Sequence, residues 1–201
     1  PVLHQSKSDS YGVAGSRFSC SDPNLQAFPK RNKTVGMIVR QGIVPDEGML
    51  LEEGDAMQQE PRLFTHYSQD EALLHGYSTD PLFSIHRRAD EMMFNGQDYD
   101  KAKRMAMGIL SGMYPKALAG HLRISINEAK DMRQRFLYDA FPKIREFQET
   151  AIRVFEQRGY VRSILGRRAR LESRQYSYQA ISRIIQNSGG DHIKTCVLRA
   201  C

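Results

Sequence analysis

Hydrophobic positions recur with helical spacing through most of the chain after Pro61. One set of apolar residues at three- and four-residue intervals runs from Ala102 to Met113, and a second runs from Ile144 to Phe155. This spacing places apolar side chains on one face of a helix. The pattern therefore predicts two amphipathic helices over these stretches.

Local signals predict where further helices begin and how they pack. Ser125 followed by Glu128 forms a capping box, which predicts a helix starting just after Ser125. The segment SYQAISRIIQNSGGDHIKTCVLRA returns to helical spacing near the end of the chain. Its pair Gly189-Gly190 costs about 1 kcal/mol per glycine relative to alanine, so we expect close backbone packing at these two positions.

Two other stretches predict β-hairpins. TVGMIVRQGIV, PDEG and MLLEEGDA read as strand, turn and strand, because a Pro-Asp-x-Gly tetrad separates two apolar runs. Asp55 is then expected at the end of the second strand. GYVRSILGRRARL, with Val161 and Ile164 flanking a Gly-Arg turn, predicts a shorter hairpin, whereas residues 1–34 show little periodicity. The predicted fold class is α/β, more closely α+β.

The charge balance adds a class of partner. The chain has 201 residues, 40% of them hydrophobic, and a formal net charge of +6. Arginines are concentrated in the stretch RGYVRSILGRRARLESR. A basic balance of this kind suits a polyanion such as nucleic acid. A solvated basic surface explains the same run without a ligand, and charge alone does not separate the two.

The cysteine content and the chain ends bear on compartment and completeness. Three cysteines form no Cys-x-x-Cys pair, and no apolar run approaches membrane-spanning length. We therefore expect an intracellular, cytoplasmic protein in a reducing compartment, with no membrane partner. The sequence starts at Pro1 rather than Met and ends at Cys201 within a helical pattern. We therefore expect a piece of a longer polypeptide.

Six segments in a fixed order resemble the palm and fingers of family A DNA polymerases, the DNA polymerase I type, from about Ser16 to the C-terminus. They are SRFSCSDPNLQAFPKR, GDAMQQE, DPLFSIHRRADEMMF, DYDKAKRMAMGILSGM, RGYVRSILGRRARL and QNSGGDHIK. The resemblance implies a partial palm with a β-hairpin at 1–60, largely helical fingers at 61–155 and a return to the palm at 156–201. It implies that the full-length parent transfers deoxynucleotides from dNTPs to a DNA primer 3′ end on a template.

The resemblance also implies a site for two Mg²⁺ ions. Asp55 and Glu60 fall on the acidic positions of the family's D-Y-S-Q-I-E motif. Asp55 would bind both ions with help from the backbone carbonyl of Ala56, and Glu60 would exclude a ribose 2′-hydroxyl. The second aspartate is expected in a later His-Asp-Glu motif beyond Cys201, because Asp191 matches the preceding helix instead. Without the resemblance, Asp55 reads more simply as a helix cap.

The segment that matches the family's nucleotide-binding helix departs most informatively from the family pattern. Four residues recur every fourth position where the family has Arg, Lys, an aromatic and usually Tyr: Tyr99, Lys103, Met107 and Ser111. Only Lys103 is kept, and it would contact the triphosphate and protonate the pyrophosphate leaving group. His86 matches a histidine that contacts the triphosphate, and Met107 and Ser111 would line the dNTP pocket.

Five residues match positions that contact primer-template DNA. Arg17 matches an arginine that reads the minor groove at the primer terminus, and Arg31 matches another basic contact. Gln186 keeps the family's minor-groove glutamine. Arg167 and Arg168 lie in a Gly-Arg-Arg turn and would either contact phosphates or stabilise the hairpin.

A second interpretation treats the parent as a degenerate polymerase-like protein that binds primed DNA without catalysis. The departures on the nucleotide-binding helix favour it. Asp55, Glu60 and Lys103 favour the enzyme, since a protein that only binds DNA has less reason to keep them. RNA synthesis is disfavoured by Glu60.

Overall fold

The computed structural model describes residues 2–4, 17–29, 33–171 and 173–200. The chain forms two compact units, residues 1–57 and 58–201. The predicted DNA contact Arg31 lies outside the described residues. The assignment of 1–60, 61–155 and 156–201 to palm, fingers and palm stays a prediction.

The first unit contains short elements. Strand β1 (Val2–His4) pairs antiparallel with β2 (Ser19–Ser21). A 3₁₀ turn at Leu25–Ala27 follows, capped by the side chain of Asn24, which accepts the Gln26 N–H at 3.1 Å. Helix α1 spans Lys33–Gln41.

The hairpin predicted to lead to Asp55 is wrong. Its first strand is helix α1, and residues 42–57 form turns and irregular backbone. A strand needs a partner for its backbone N–H and C=O groups, and within the described residues none pairs with this segment. The first apolar run satisfies those groups internally as a helix, and the second leaves Leu50 96% exposed.

The second unit is built from eight helices in its described residues. They are α2 (Gln59–Ser68), α3 (Glu71–Thr79), α4 (Ile85–Phe94), α5 (Tyr99–Leu110), α6 (Pro115–Leu122), α7 (Ile126–Gln134), α8 (Pro142–Arg158) and α9 (Ala180–Ala200). A π-helical turn at Arg135–Ala140 precedes α8, and a 3₁₀ segment at Arg174–Gln179 precedes α9. The helices expected at α5, α8 and α9 are confirmed. So is the capping box of α7, where the Glu128 N–H donates to Ser125 Oγ and the Ser125 N–H donates to Glu128 Oε2.

The second predicted hairpin is also confirmed. Strands β3 (Tyr160–Arg162) and β4 (Arg168–Arg170) pair antiparallel with Val161 opposite Ala169. These two side chains are buried, while the arginines on either side face water. This alternation is what a two-stranded ribbon with one packed face requires.

One face of helix α5 packs into the hydrophobic core. The side chains of Ala102, Met105 and Ile109 are inaccessible to water and pack in one cluster with residues of the other helices. The glycine pair of α9 packs closely as expected at Gly189, where a Cβ would lie 3.2 Å from Gln59 Oε1 of α2. No helix in the described chain is both long and apolar enough to cross a lipid bilayer.

Candidate active site

Helices α4 and α5 are held in register by the turn between them. Ser84 caps α4, with its Oγ accepting the Arg87 N–H at 3.4 Å. Asp98 caps α5, with its Oδ1 accepting the Lys101 N–H at 3.0 Å. The buried side chain of Asp90 on α4 accepts the Asp98 N–H at 3.0 Å. Asp90 therefore fixes where α5 begins relative to α4.

His86, Tyr99 and Lys103 come together across these two helices. The His86 ring is buried in the first turn of α4, and its centroid lies 6.4 Å from that of Tyr99 at an edge-to-face angle of 81°. Its Nδ1 atom is buried with no hydrogen-bond partner in the described part of the chain. Burial, with a smaller contribution from the Lys103 charge, lowers the pKa of His86 to about 4. At neutral pH this ring is therefore uncharged.

A groove of about 530 Å³ opens beside this cluster. Its lining includes Arg87, Asp90 and Tyr99. Sequence reasoning missed Arg87 and Asp90. Arg87 was recognisable as a cation next to His86 in FSIHRRA, whereas only the fold shows that Asp90 is buried.

The nucleotide-binding face of α5 is laid out as its four-residue spacing predicts. Residues four apart on a helix are separated by about 6 Å along its axis. Tyr99 and Lys103 are exposed, while Met107 is partly buried against the core. Ser111 follows as the C-cap residue, with its N–H donating to the Met107 carbonyl at 3.0 Å. Along this face Tyr99 and Lys103 are exposed, whereas Met107 and Ser111 are partly buried.

The residues expected around the metal ions are divided between the two units, with Asp55 and Ala56 in the first and Glu60 in the second. Asp55 is exposed on irregular backbone, with Ala56 partly buried beside it. Asp55 does not cap α2, whose N-cap residue is Gln58 in the left-handed conformation without a side-chain cap. Glu60 lies in the first turn of α2 and is partly buried. Among the described residues no three His, Cys, Asp or Glu side chains form a group that could hold a metal ion.

Gln58 anchors the start of α2. Its Nε2 donates to the Phe83 carbonyl at 2.8 Å, and its Oε1 accepts the Tyr77 hydroxyl at 2.9 Å. Burial raises the pKa of Tyr77 to about 12, so this hydroxyl remains a donor at physiological pH. Gln58 therefore fixes the turn that leads into Glu60.

The predicted DNA contacts differ in their surroundings. Arg167 is held by Asp191 and Asn187 of α9. Arg168 is exposed, with its guanidinium 4.9 Å from the Tyr160 ring centroid. Gln186 is partly buried on α9, and Arg17 is exposed in the first unit.

The profile of DNA polymerase family A matches residues 4–201. The helical second unit and the arrangement of α4 and α5 agree with this match. The chain belongs to DNA polymerase family A.

Particular members of the family show what this chain is similar to. It is 27% identical to DNA polymerase DpoZ of Acinetobacter phage SH-Ab 15497 over 95% of its length, which corresponds to 35% of that protein. It is 32% identical to the thermostable DNA polymerase I of Thermus thermophilus over 93% of its length, which corresponds to 24% of that protein. The chain thus spans between about a quarter and about a third of these relatives.

A solved structure shares the fold. The POL domain of Pol1 from M. smegmatis, in complex with DNA primer-template and dNTP, matches with a TM-score of 0.74 and 25% identity. The match covers 96% of this chain and 35% of that one.

Proposed function

We propose that the intact protein containing these residues extends a DNA primer by template-directed transfer of deoxynucleotides from dNTPs. The observation that carries the proposal is the convergence of His86, Tyr99 and Lys103 across α4 and α5, in a chain that belongs to DNA polymerase family A. An exposed lysine beside a neutral histidine offers a cation and a hydrogen-bonding group to one polyphosphate.

Each side chain at this site has a distinct proposed role. Lys103 binds the triphosphate and donates a proton to the departing pyrophosphate, which stabilises charge where it develops. His86, uncharged at neutral pH, hydrogen-bonds a phosphate oxygen through its ring. Met107 and Ser111 border the sugar and base, and Glu60 disfavours a ribose 2′-hydroxyl by crowding it.

The described residues of this chain meet the metal requirement only in part. Two Mg²⁺ ions would neutralise phosphate charge and align the attacking and leaving oxygens. Asp55 offers the hard oxygen ligand that Mg²⁺ prefers, and the Ala56 carbonyl offers another. Because the described residues contain no group of three possible ligands, the site needs at least one more carboxylate from elsewhere in the intact protein. We therefore propose that the 201-residue chain alone is inactive.

DNA binding is assigned to residues on both units. We propose that Arg17, Arg31, Arg168 and Gln186 contact primer-template DNA. Arginine contacts to phosphates give affinity without sequence preference and weaken as salt concentration rises. Arg167 is left out of this set, because its guanidinium is already used within the fold.

Primer extension by the intact protein tests the proposal. Asp55→Asn should abolish incorporation while leaving primer-template affinity unchanged, since the substitution removes a metal ligand and not a DNA contact. Asp46→Asn, at another exposed aspartate of the first unit, is the matched control and should extend primers normally. Normal synthesis by Asp55→Asn would contradict the proposal. Metal-dependent incorporation by the 201-residue chain would contradict its proposed inactivity.

The alternative is a protein that binds primed DNA without synthesis. The observation that favours it is the α5 face, where Tyr99, Met107 and Ser111 lack the charge and the aromatic rings of the family pattern. Lys103→Ala separates the two functions, with Lys130→Ala at another exposed lysine as control. If the wild-type protein binds primer-template tightly yet incorporates nothing under any divalent metal, the alternative is the better reading.

A further inference from the structure

A pocket of about 300 Å³ lies within the second unit, between α2, α8, β3 and α9. Much of its wall is apolar and is formed by Phe147, Ala151, Val154, Val161 and Ile184. Ala151, Val161 and Ile184 belong to the buried core, so the wall is part of a packed surface. Pockets that hold small ligands start at about this volume and are lined mainly by apolar side chains. We refer to this cavity as the α8 pocket.

The aromatic side of the α8 pocket is held in place by contacts within the fold. Tyr67 stacks on Phe147, with ring centroids 5.6 Å apart and ring planes at 21°. The Tyr67 hydroxyl lies 2.8 Å from Ser188 Oγ. Ser188 donates its own proton to the Ile184 carbonyl at 2.6 Å, so Tyr67 is the donor to Ser188. Because Tyr67 is fixed at both its ring and its hydroxyl, this side of the pocket does not depend on a ligand for its shape.

The mouth of the α8 pocket is cationic. Arg158, the last residue of α8, and Arg162, the last residue of β3, both line the pocket and are exposed. Within the described ranges neither guanidinium forms an ion pair, and no Asp or Glu lines the pocket. The C-terminal end of a helix carries only about half a negative charge. The two arginines therefore leave the mouth positive.

Tyr160 lines the same pocket and responds to the charge of the arginines around it. The guanidinium carbons of Arg168 and Arg162 lie 4.9 and 5.8 Å from the Tyr160 ring centroid. A side-chain hydrogen bond with Arg162, the charge of Arg168 and a smaller contribution from the charge of Arg158 lower the pKa of Tyr160. The positive potential that favours a phenolate favours any other anion at this place.

An apolar wall with two cations at the mouth matches a ligand that is divided in the same way. We propose that the α8 pocket binds a small amphipathic anion, with an alkyl body and one carboxylate at its end. The alkyl body displaces water from the apolar wall. The carboxylate accepts N–H groups from Arg158 and Arg162, since a guanidinium presents donors that match two carboxylate oxygens.

Other ligands fit the α8 pocket less well. A sugar would find few hydrogen-bonding partners along the described wall, because most of that wall is aliphatic or aromatic. A DNA strand would satisfy the arginines and leave the apolar interior unfilled. The inference goes beyond the proposed function and does not depend on it.

Calorimetric titration of the intact protein with octanoate tests the proposal. The wild type should bind octanoate at a single saturable site. Its affinity for octanoate should exceed that for acetate, which lacks the alkyl body, and that for octanol, which lacks the charge, by roughly tenfold or more. Octanoate binding that does not saturate, or that is no tighter than octanol binding, would overturn the proposal.

Two variants locate the octanoate site. Arg158→Gln/Arg162→Gln removes both cations and should weaken octanoate binding by roughly tenfold or more. Val154→Phe narrows the pocket from α8 and should weaken octanoate binding as well. Arg153→Gln, at an exposed arginine of α8 outside the pocket lining, is the matched control and should bind octanoate like the wild type.

Two further measurements separate the pocket from other roles of the same residues. Urea denaturation should show wild-type stability for the double glutamine variant, because both arginine side chains are exposed. Wild-type octanoate affinity in that variant would overturn the proposal. If the variant instead loses affinity for primer-template DNA and keeps its affinity for octanoate, the arginines are DNA contacts and the proposal is again wrong. Octanoate binding by a protein that synthesises no DNA would support the pocket and refute the polymerase function.

Discussion

The Nη2 atom of Arg167 lies 2.8 Å from Oδ1 of Asp191, which joins the β3–β4 loop to the middle of α9. The Nε atom of Arg167 reaches the same oxygen at 3.1 Å, and its Nη1 donates to Asn187 Oδ1 at 2.8 Å. Asp191 is 5% exposed, so its carboxylate depends on this guanidinium for compensation. Of the two roles that the sequence left open for Arg167, the structure supports stabilisation of the hairpin.

Arg167→Ala should lower the free energy of unfolding by about 3 kcal/mol, because it leaves the buried Asp191 carboxylate without its cation. Urea denaturation measures the change. Arg168→Ala is the matched control at the neighbouring exposed arginine, and its effect on stability should stay within about 0.5 kcal/mol. Equal losses of stability in the two variants would show that the Arg167–Asp191 ion pair does not stabilise the hairpin.

A pair of glycines separates backbone strain from steric clash. Gly112 and Gly159 both have positive φ, +84° and +75°. A Cβ on Gly112 would lie 2.7 Å from the buried Ile181 Cδ1, whereas a Cβ on Gly159 meets nothing within 4 Å. Both positions therefore share the strain of the left-handed region, and only Gly112 adds a clash.

Gly159→Ala should cost about 1 kcal/mol of stability, from the left-handed backbone alone. Gly112→Ala should cost roughly 1 to 3 kcal/mol more, because Ile181 must move within a packed core. Thermal unfolding of the two variants measures the difference. If they are equally stable, the core around Ile181 is looser than the structure implies.

The helical half of the fold follows from the sequence because its signals are local. The apolar spacing of α5 and α8 and the Ser125–Glu128 capping box specify their elements without reference to distant residues. The β3–β4 hairpin is similarly local, with its turn and its alternating pattern in one short segment. The family was identified separately, from the resemblance of six ordered motifs, and the family profile confirms it.

The predicted hairpin before Asp55 failed because strand formation is not a local property. The apolar runs around Val39 and Leu50 have the composition of strands, yet a strand forms only where another one offers backbone partners. Within the described chain none does, and residues 33–41 are helical instead. A site residue placed by that hairpin, Asp55, was assigned to the wrong element.

The environment of individual side chains also could not be predicted from the sequence. The identity of His86 suggests a ligand contact, but its burial and the orphan Nδ1 appear only once α4 and α5 pack together. The same holds for Asp90, whose role at the start of α5 depends on its hydrogen bond to Asp98. The sequence predicted helix α5, but the contacts of its residues became visible only in the packed structure.

Gln148 fastens the end of α5 to α8. Its buried Nε2 donates to the carbonyls of Ile109 and Leu110 at 2.7 and 3.0 Å. The last carbonyls of a helix lack intrahelical donors, so Gln148 supplies a donor to the Leu110 carbonyl, while the Ile109 carbonyl also accepts the Gly112 N–H at 2.9 Å.

Gln148→Leu should lower the free energy of unfolding by about 2 kcal/mol, since the buried Leu110 carbonyl loses its side-chain donor while the Ile109 carbonyl keeps the Gly112 N–H. Hydrogen exchange should show lost protection at the C-terminal turn of α5 in particular. Gln157→Leu, at an exposed position of α8, should leave both stability and exchange unchanged. Uniform loss of protection across the unit would contradict a local tie at α5.

His86 should make stability depend on pH in the acidic range. The ring binds its proton with a pKa near the ordinary histidine value of 6.5 when unfolded and about 4 when folded. Between these values the unfolded chain holds more protons, so stability falls as pH decreases through this window. The full shift corresponds to about 3 kcal/mol.

His86→Gln removes this titration, so its free energy of unfolding should change by about 2 to 3 kcal/mol less than that of the wild type between neutral pH and about pH 4. Urea denaturation at the two pH values measures the difference. His75→Gln, at an exposed histidine of α3, should keep the wild-type dependence. Lys103→Met should raise the pKa of His86, because the lysine charge is the second cause of its depression. Identical pH profiles for the wild type and His86→Gln would mean that the ring is protonated equally in both states, and His86 would then not be the neutral group proposed to meet the triphosphate.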